Sequence, residues 1–204
     1  MSCQPLHITL LLGLALMSFA CGTSGTNSIR NAYPSIQAGS FGEMRNVSTM
    51  GPIWFGGMVC EQDMNLARRR GVKRVIDLST PNEKGACSIA AACERYGMEY
   101  MTAAIREGGS PSDEAVDFVM EWLSDGCPRV VDGTHRGLPT LMIDGSGGRG
   151  ASFVAIYRVH WLGVPIEEAL IEARRAGMRP GSPEVFVRAQ VERIANQGHP
   201  LSPQ

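Results

Sequence analysis

Apolar positions along the chain change period several times, and each change marks an element. "NVSTMGPIWFGGM" (46–58) alternates on either side of Gly51-Pro52, which predicts two short strands around a turn. In the segment that follows, Cys60, Met64 and Ala67 fall at i, i+4 and i+7, one face of a helix that Gly71 ends. "VKRVIDL" (72–78) reads as a strand, "GACSIAAACERYG" (85–97) as a helix closed by Gly97, and "MEYMTAAI" (98–105) as another strand. In "SPSDEAVDFVMEWL", Ser110 is the expected cap and Pro111 the first helical residue, with Asp113 completing a capping-box-like signal. Val116, Val119 and Leu123 then share a face. Residues 124–137 are polar and read as a loop. A strand (138–143), a Gly-rich loop and helices over 149–162, 166–177 and 182–198 complete the pattern. Strands alternating with helices predict a single α/β domain over 41–198, a mainly parallel sheet flanked by helices.

Composition fits this reading. The 204 residues are 44% hydrophobic and 19% charged, an ordinary globular balance. The net charge of −1 supplies no basic field, and neither zinc-finger spacing nor an RNA-binding aromatic signature occurs, so nucleic acid is not an expected partner. The apolar run from Leu6 to Cys21 is short and close to the start, so residues 1–21 read as an export signal. Ser18-Phe19-Ala20-Cys21 resembles a lipoprotein cleavage site, with Cys21 carrying the lipid. A cut after Ala20 without lipid is the alternative. Either reading places the protein outside the bacterial cytoplasm, periplasmic or anchored to a membrane. Residues 22–40 are small and polar, suited to a tether, and 199–204 form a short tail expected to be disordered. In an exported chain Cys60, Cys87, Cys93 and Cys127 are candidates for disulfides, with no pairing singled out; four buried thiols are the other reading. Cysteine and histidine lack metal-ligand spacing, and neither metal nor cofactor is expected.

The chemistry concentrates in "LMIDGSGGRGASF" (141–153). A strand entering a Gly-rich turn and then a helix aims backbone N–H groups and the positive end of the helix dipole at one point, an anion cradle. Gly145, Gly147, Gly148 and Gly150 allow close approach, Ser146 adds a hydroxyl, and Arg149 can grip an oxyanion through two parallel bonds. The run lacks the Lys-Ser/Thr ending of a phosphate-binding P-loop, and its GxGxxG spacing alone is weak evidence for a dinucleotide site.

This loop resembles the signature of the protein tyrosine and dual-specificity phosphatases, in a bacterial branch of the form His-Cys-x-Ser-Gly-x-Arg-Ser/Thr. "NVSTMGPIWFGGMVCEQDMNLARRRGVKRVIDLST" and "IEEALIEARRAGM" are similar to that branch's opening and to the helix after its signature helix, so the resemblance covers about 45–178. It implies a tyrosine-phosphatase-like fold. Ser146, Gly147 and Arg149 match the loop. Ile143 stands where the family has His, Asp144 where it has the nucleophilic Cys, and Gly150 where a hydroxyl residue usually follows Arg. The family's reaction needs a thiolate and a separate acid. Glu107, in "IREGGSPSD", is the candidate acid, with Asp113 second. Asp144 is expected to accept loop N–H bonds and to pair with Arg149, occupying the anion site from within. The expected function is an exported pseudophosphatase that binds a phosphate-like anion, a phosphorylated ligand or a protein partner, with a lipid anchor linking it to a membrane. A phosphoric monoester hydrolase with a non-standard nucleophile is the alternative. Asp77 ends a strand on the expected ligand side, and His135 lies in the polar loop.

Overall fold

The computed structural model describes residues 35–83, 88–103, 105, 111–125, 129–131 and 134–198; of 129–131 and 134–136 it describes the backbone. Cys21, Cys87, Glu107, Ser110 and Cys127 therefore lie outside the described residues, as do the export signal, most of the tether and the tail.

Strands β1 (Gln37–Ala38), β2 (Ser48–Met50), β3 (Ile53–Gly56), β4 (Arg74–Asp77), β5 (Glu99–Thr102) and β8 (Thr140–Ile143) form one six-stranded sheet in the order β1-β2-β3-β8-β4-β5. β3, β8, β4 and β5 run parallel, and β1 and β2 add antiparallel strands at one edge. The Gly51-Pro52 hairpin forms as expected, with Gly51 at φ +59°. Every residue of β4 and β8 is buried, so neither shows a polar-apolar alternation, and the charged ends of β4 find partners, Arg74 in Glu99 and Asp77 in Tyr100. The strand β1 falls within the stretch 22–40 assigned from sequence to the tether.

Helices α1 (Glu61–Arg69) and α2 (Ile89–Tyr96) cover one face over a cluster that includes Phe41, Met64, Val75 and Leu141. Helices α3 (Asp113–Asp125), α4 (Gly148–Leu162), α5 (Ile166–Arg175) and α6 (Ser182–Asn196) cover the other, over a larger core that includes Phe55, Ile76, Met142 and Phe153. Helix α4 is apolar nearly all round and correspondingly buried from Gly150 to Arg158. The helix that starts at the Gly-rich loop is thus the central beam of this layer, and the loop is fixed at its N-terminal end.

Two local expectations change. Helix α3 starts at Asp113, later than expected, with Ser112 as its cap: the Ser112 hydroxyl accepts from Ala115 N. Asp113 accepts a bond from Gln190 Nε2 at 2.9 Å and ties α3 to α6 instead of closing a capping box. The polar stretch 124–137 contains the last turn of α3 and an antiparallel hairpin, β6 (Arg129–Val131) with β7 (Thr134–Arg136). Asp132-Gly133 between Val131 and Thr134 is the sequence signal for a two-residue hairpin turn.

Candidate functional site

Parallel strands leave a crevice at their C-terminal edge where the strand order reverses. Here β8 lies between β3 and β4, so Gly56, Ile143 and Asp77 end side by side. The next residue of each strand enters the same space. Asp144 N donates to Gly56 O at 3.1 Å and Leu78 N to Ile143 O at 2.8 Å, which extends the ladder up to the loop. A bridge between Gly57 and Ser146 holds the loop against β3. Asn46, itself at φ +52°, donates from Nδ2 to Ser146 O at 2.8 Å. Gly147 caps α4 at φ +93°, where a side chain is strained, and a Cβ there would come within 3.1 Å of Asn46 O.

The loop N–H groups point inward as the sequence predicts, and they meet Asp144. Its Oδ1 accepts from Ser146 N at 2.7 Å and Gly147 N at 2.5 Å; its Oδ2 accepts from Gly150 N at 3.0 Å. The carboxylate is fully buried. A buried charge is tolerated when hydrogen bonds and nearby positive charge replace its water, and this one has three N–H donors and the start of a helix.

Arg149 departs from expectation. It does not pair with Asp144; its guanidinium reaches across to the turn after β4. Nη1 donates to Glu83 Oε2 at 2.7 Å and to Leu78 O at 2.8 Å, and Nη2 donates to Glu83 Oε1 at 2.5 Å. The reason is reach. The short Asp144 side chain is directed into the N–H groups of its own loop, while Glu83 sits on a 3-10 turn (Pro81–Glu83) that presents both oxygens to the guanidinium fork. Thr80 N also donates to Glu83 Oε2 at 2.9 Å. The bond from Arg149, assisted by that from Thr80, holds the Glu83 carboxyl down at about 2 despite its partial burial. Arg149 is in turn held in its charged form, chiefly by Glu83 and further by Asp144 and Asp77.

Glu83 was not singled out in the sequence. "STPNEKG" offers only turn residues and an ordinary acid, and the one signal was topological: the turn after β4 must abut the loop after β8 once those strands pair. A Cβ at Gly145 would overlap Glu83 Oε1, so that glycine is needed for the approach of this carboxylate.

The other candidates fall as follows. Asp77 is buried and structural: it accepts from Ser79 N at 2.9 Å and from the Tyr100 hydroxyl at 2.9 Å. Burial, helped by the Asp77 charge, pushes the Tyr100 hydroxyl well above its usual range, so it stays a donor. Cys60, half-buried before α1, and Cys93, buried in α2, are thiols; a bridge from either to Cys87 or Cys127 involves a residue outside the described set. His160 is buried near the end of α4, edge-on to Trp161 and away from the loop. His135 contributes its backbone to β7. The site that results is a loop whose N–H groups are taken by one internal carboxylate and whose arginine is taken by another.

No family model matches the chain, and no curated protein matches it. Solved structures do. Tk-PTP in its active form is 22% identical with a TM-score of 0.55, covering 69% of this chain and 91% of its own. PTPMT1 in complex with PI(5)P is 19% identical with a TM-score of 0.55, covering 72% and 94%. The core catalytic domain of the PP-IP phosphatase SIW14 from S. cerevisiae, in complex with citrate, is 15% identical with a TM-score of 0.54, covering 78% and 95%. The chain therefore has the α/β fold of the tyrosine and dual-specificity phosphatases, with Asp144 and Glu83 closing its Gly-rich loop.

Proposed function

We propose that this chain is an exported pseudophosphatase, a phosphatase-like domain that acts by binding a protein partner instead of hydrolysing phosphoester. Asp144 stands at the position of the family's nucleophilic cysteine, and the observation that carries the reading is what it does there. Its two oxygens take three of the N–H groups of the Gly-rich loop, and Glu83 takes both arms of Arg149. A phosphate entering the loop would have to displace two carboxylates and would meet their charge. A like-charge pair about 4 Å apart is worth roughly 1 kcal/mol in water and several times that where water is excluded. The same bonds engage three of the roughly four lone pairs of the carboxylate, which lowers its power to attack phosphorus. Export, with lipid on Cys21, belongs to the same proposal and is supported by the apolar run that precedes it.

The test is hydrolysis of p-nitrophenyl phosphate by the wild-type chain and by Asp144→Cys, Asp144→Cys/Glu83→Gln and Asp144→Cys/Glu83→Gln/Arg149→Ala. The expected result is an inert wild type, turnover that rises from the single to the double variant, and its loss in the triple variant. Turnover by wild type that Asp144→Ala abolishes would overturn the proposal in favour of a hydrolase working through Asp144.

A further inference from the structure

Away from the Gly-rich loop, α3 lies against the central helix α4 and presents an outer face of unusual composition. Asp113, Glu114, Asp117, Glu121 and Asp125 give it five acids and no base. Asp113 and Asp117, Asp117 and Glu121, and Glu121 and Asp125 are each spaced i, i+4, where like charges repel. Acids at the C-terminal end also oppose the helix dipole. Asp113 and Glu114 in the first turn suit the helix dipole, but the acids that follow them do not serve the helix itself. Arg193 of α6 offsets part of the charge, binding Asp117 at 2.5 and 3.1 Å. Glu114 and Glu121 enter no ion pair among the described residues, and both are exposed.

Between these acids lies a groove of about 650 Å³ with a mixed lining, its apolar part from Phe118, Met120, Trp161 and Ile194 and its polar part including Glu114 and Glu121. Phe118 is 45% exposed, one of three large apolar side chains so exposed among the described residues. A groove of this size takes several side chains of a peptide, and apolar side chains interspersed with charge suit a short amphipathic segment.

We infer that the groove between α3 and the ends of α4 and α6 docks a basic amphipathic segment of a protein partner, an apolar anchor over Phe118 and Trp161 with Lys or Arg side chains on Glu114 and Glu121. Charge complementarity selects the occupant: the lip is acidic, so an acidic or phosphorylated segment is repelled and a basic one is drawn in. This deepens the reading of the domain as a binding module by giving the partner a chemistry. It also places the interaction on a surface separate from the closed loop.

Fluorescein-labelled 12-residue peptides test it by anisotropy, in roughly 20 mM salt where exposed charges are little screened. One set carries Lys and Arg around a central Leu-Trp pair, and a control set replaces each base by Glu. The expected result is binding of the basic set alone, weakened about tenfold or more in Glu114→Lys/Glu121→Lys and in Phe118→Ala, and weakened by added salt. All three substituted residues are exposed, so the variants should fold, and their circular dichroism melts confirm it. No binding of the basic set, equal binding of both sets, or binding indifferent to the substitutions overturns the inference. So does a concentration-dependent dimer that the same substitutions abolish, since the groove would then hold a second copy. Hydrolysis measured on the same preparation keeps the outcomes distinct: an inert domain without peptide binding rejects the groove alone.

Discussion

Replacing Glu83 by Gln removes one charge and leaves the shape of the turn. In the folded protein the Glu83 carboxyl is held at about 2, against an ordinary value of 4.5. At about 1.4 kcal/mol per unit the full shift corresponds to roughly 3 kcal/mol. About a third of each partner's side chain still meets solvent, 29% for Arg149 and 31% for Glu83. Screening at that exposure reduces the expected contribution to about 1–2 kcal/mol. The sign follows from the depressed value: the stabilisation is fully present above pH 4.5 and disappears as pH falls through 2. Urea unfolding at pH 7 should therefore show Glu83→Gln less stable by about 1–2 kcal/mol. With a slope of about 2 kcal/mol/M, the midpoint falls by roughly 0.5–1 M. The gap between the two proteins should narrow as pH drops from 4.5 and close near 2. Equal stability at pH 7, or a gap that persists undiminished at pH 2, would refute the assignment of Glu83 as the charged partner of Arg149.

Other consequences follow from the same contacts. Gly145→Ala places a methyl where Glu83 Oε1 lies, so it should displace that carboxylate and lose about as much stability at pH 7 as Glu83→Gln, with little further loss when the two are combined. Gly147→Ala meets both a positive φ and the Asn46 carbonyl, and should cost about 1–3 kcal/mol in the same urea assay. Away from the site, Arg158 pairs with Glu172 at 2.7 Å, with only 6% and 16% of their side chains exposed. Glu172→Ala leaves that guanidinium buried without its carboxylate and should lose about 3 kcal/mol or more by urea unfolding; a loss under about 1 kcal/mol would show that the pair matters little.

The sequence revealed the frame of the site better than its wiring. The strands β4 and β8, the Gly51-Pro52 hairpin and the Gly-rich entry to α4 all depend on local pattern, and local pattern is what periodicity reports. The inward N–H groups and Asp144 among them follow from the same local geometry. The partner of Arg149 does not. It lies 66 residues away, on a turn brought to the loop only by the β4–β8 pairing, and reasoning from chain neighbours favoured Asp144. Asp113 is a similar case: three residues after Ser110 it looks like the second half of a capping box, and only the packing of α6 reveals Gln190 as its partner. The β6–β7 hairpin was hidden for another reason, since a polar ribbon away from the main sheet lacks the apolar alternation that marks a half-buried strand.

An internal carboxylate, Asp144, occupies the anion cradle. The most direct test of that occupancy is a calorimetric titration of inorganic phosphate into the wild-type chain and into Asp144→Gly/Glu83→Gln, which frees the N–H groups and Arg149 together. Wild type should show no saturable binding up to roughly 10 mM and the variant measurable binding, accompanied by a phosphate-dependent rise in its melting temperature. Phosphate binding to wild type as tight as to the variant would contradict it, because the cradle would then be open with Asp144 and Glu83 in place.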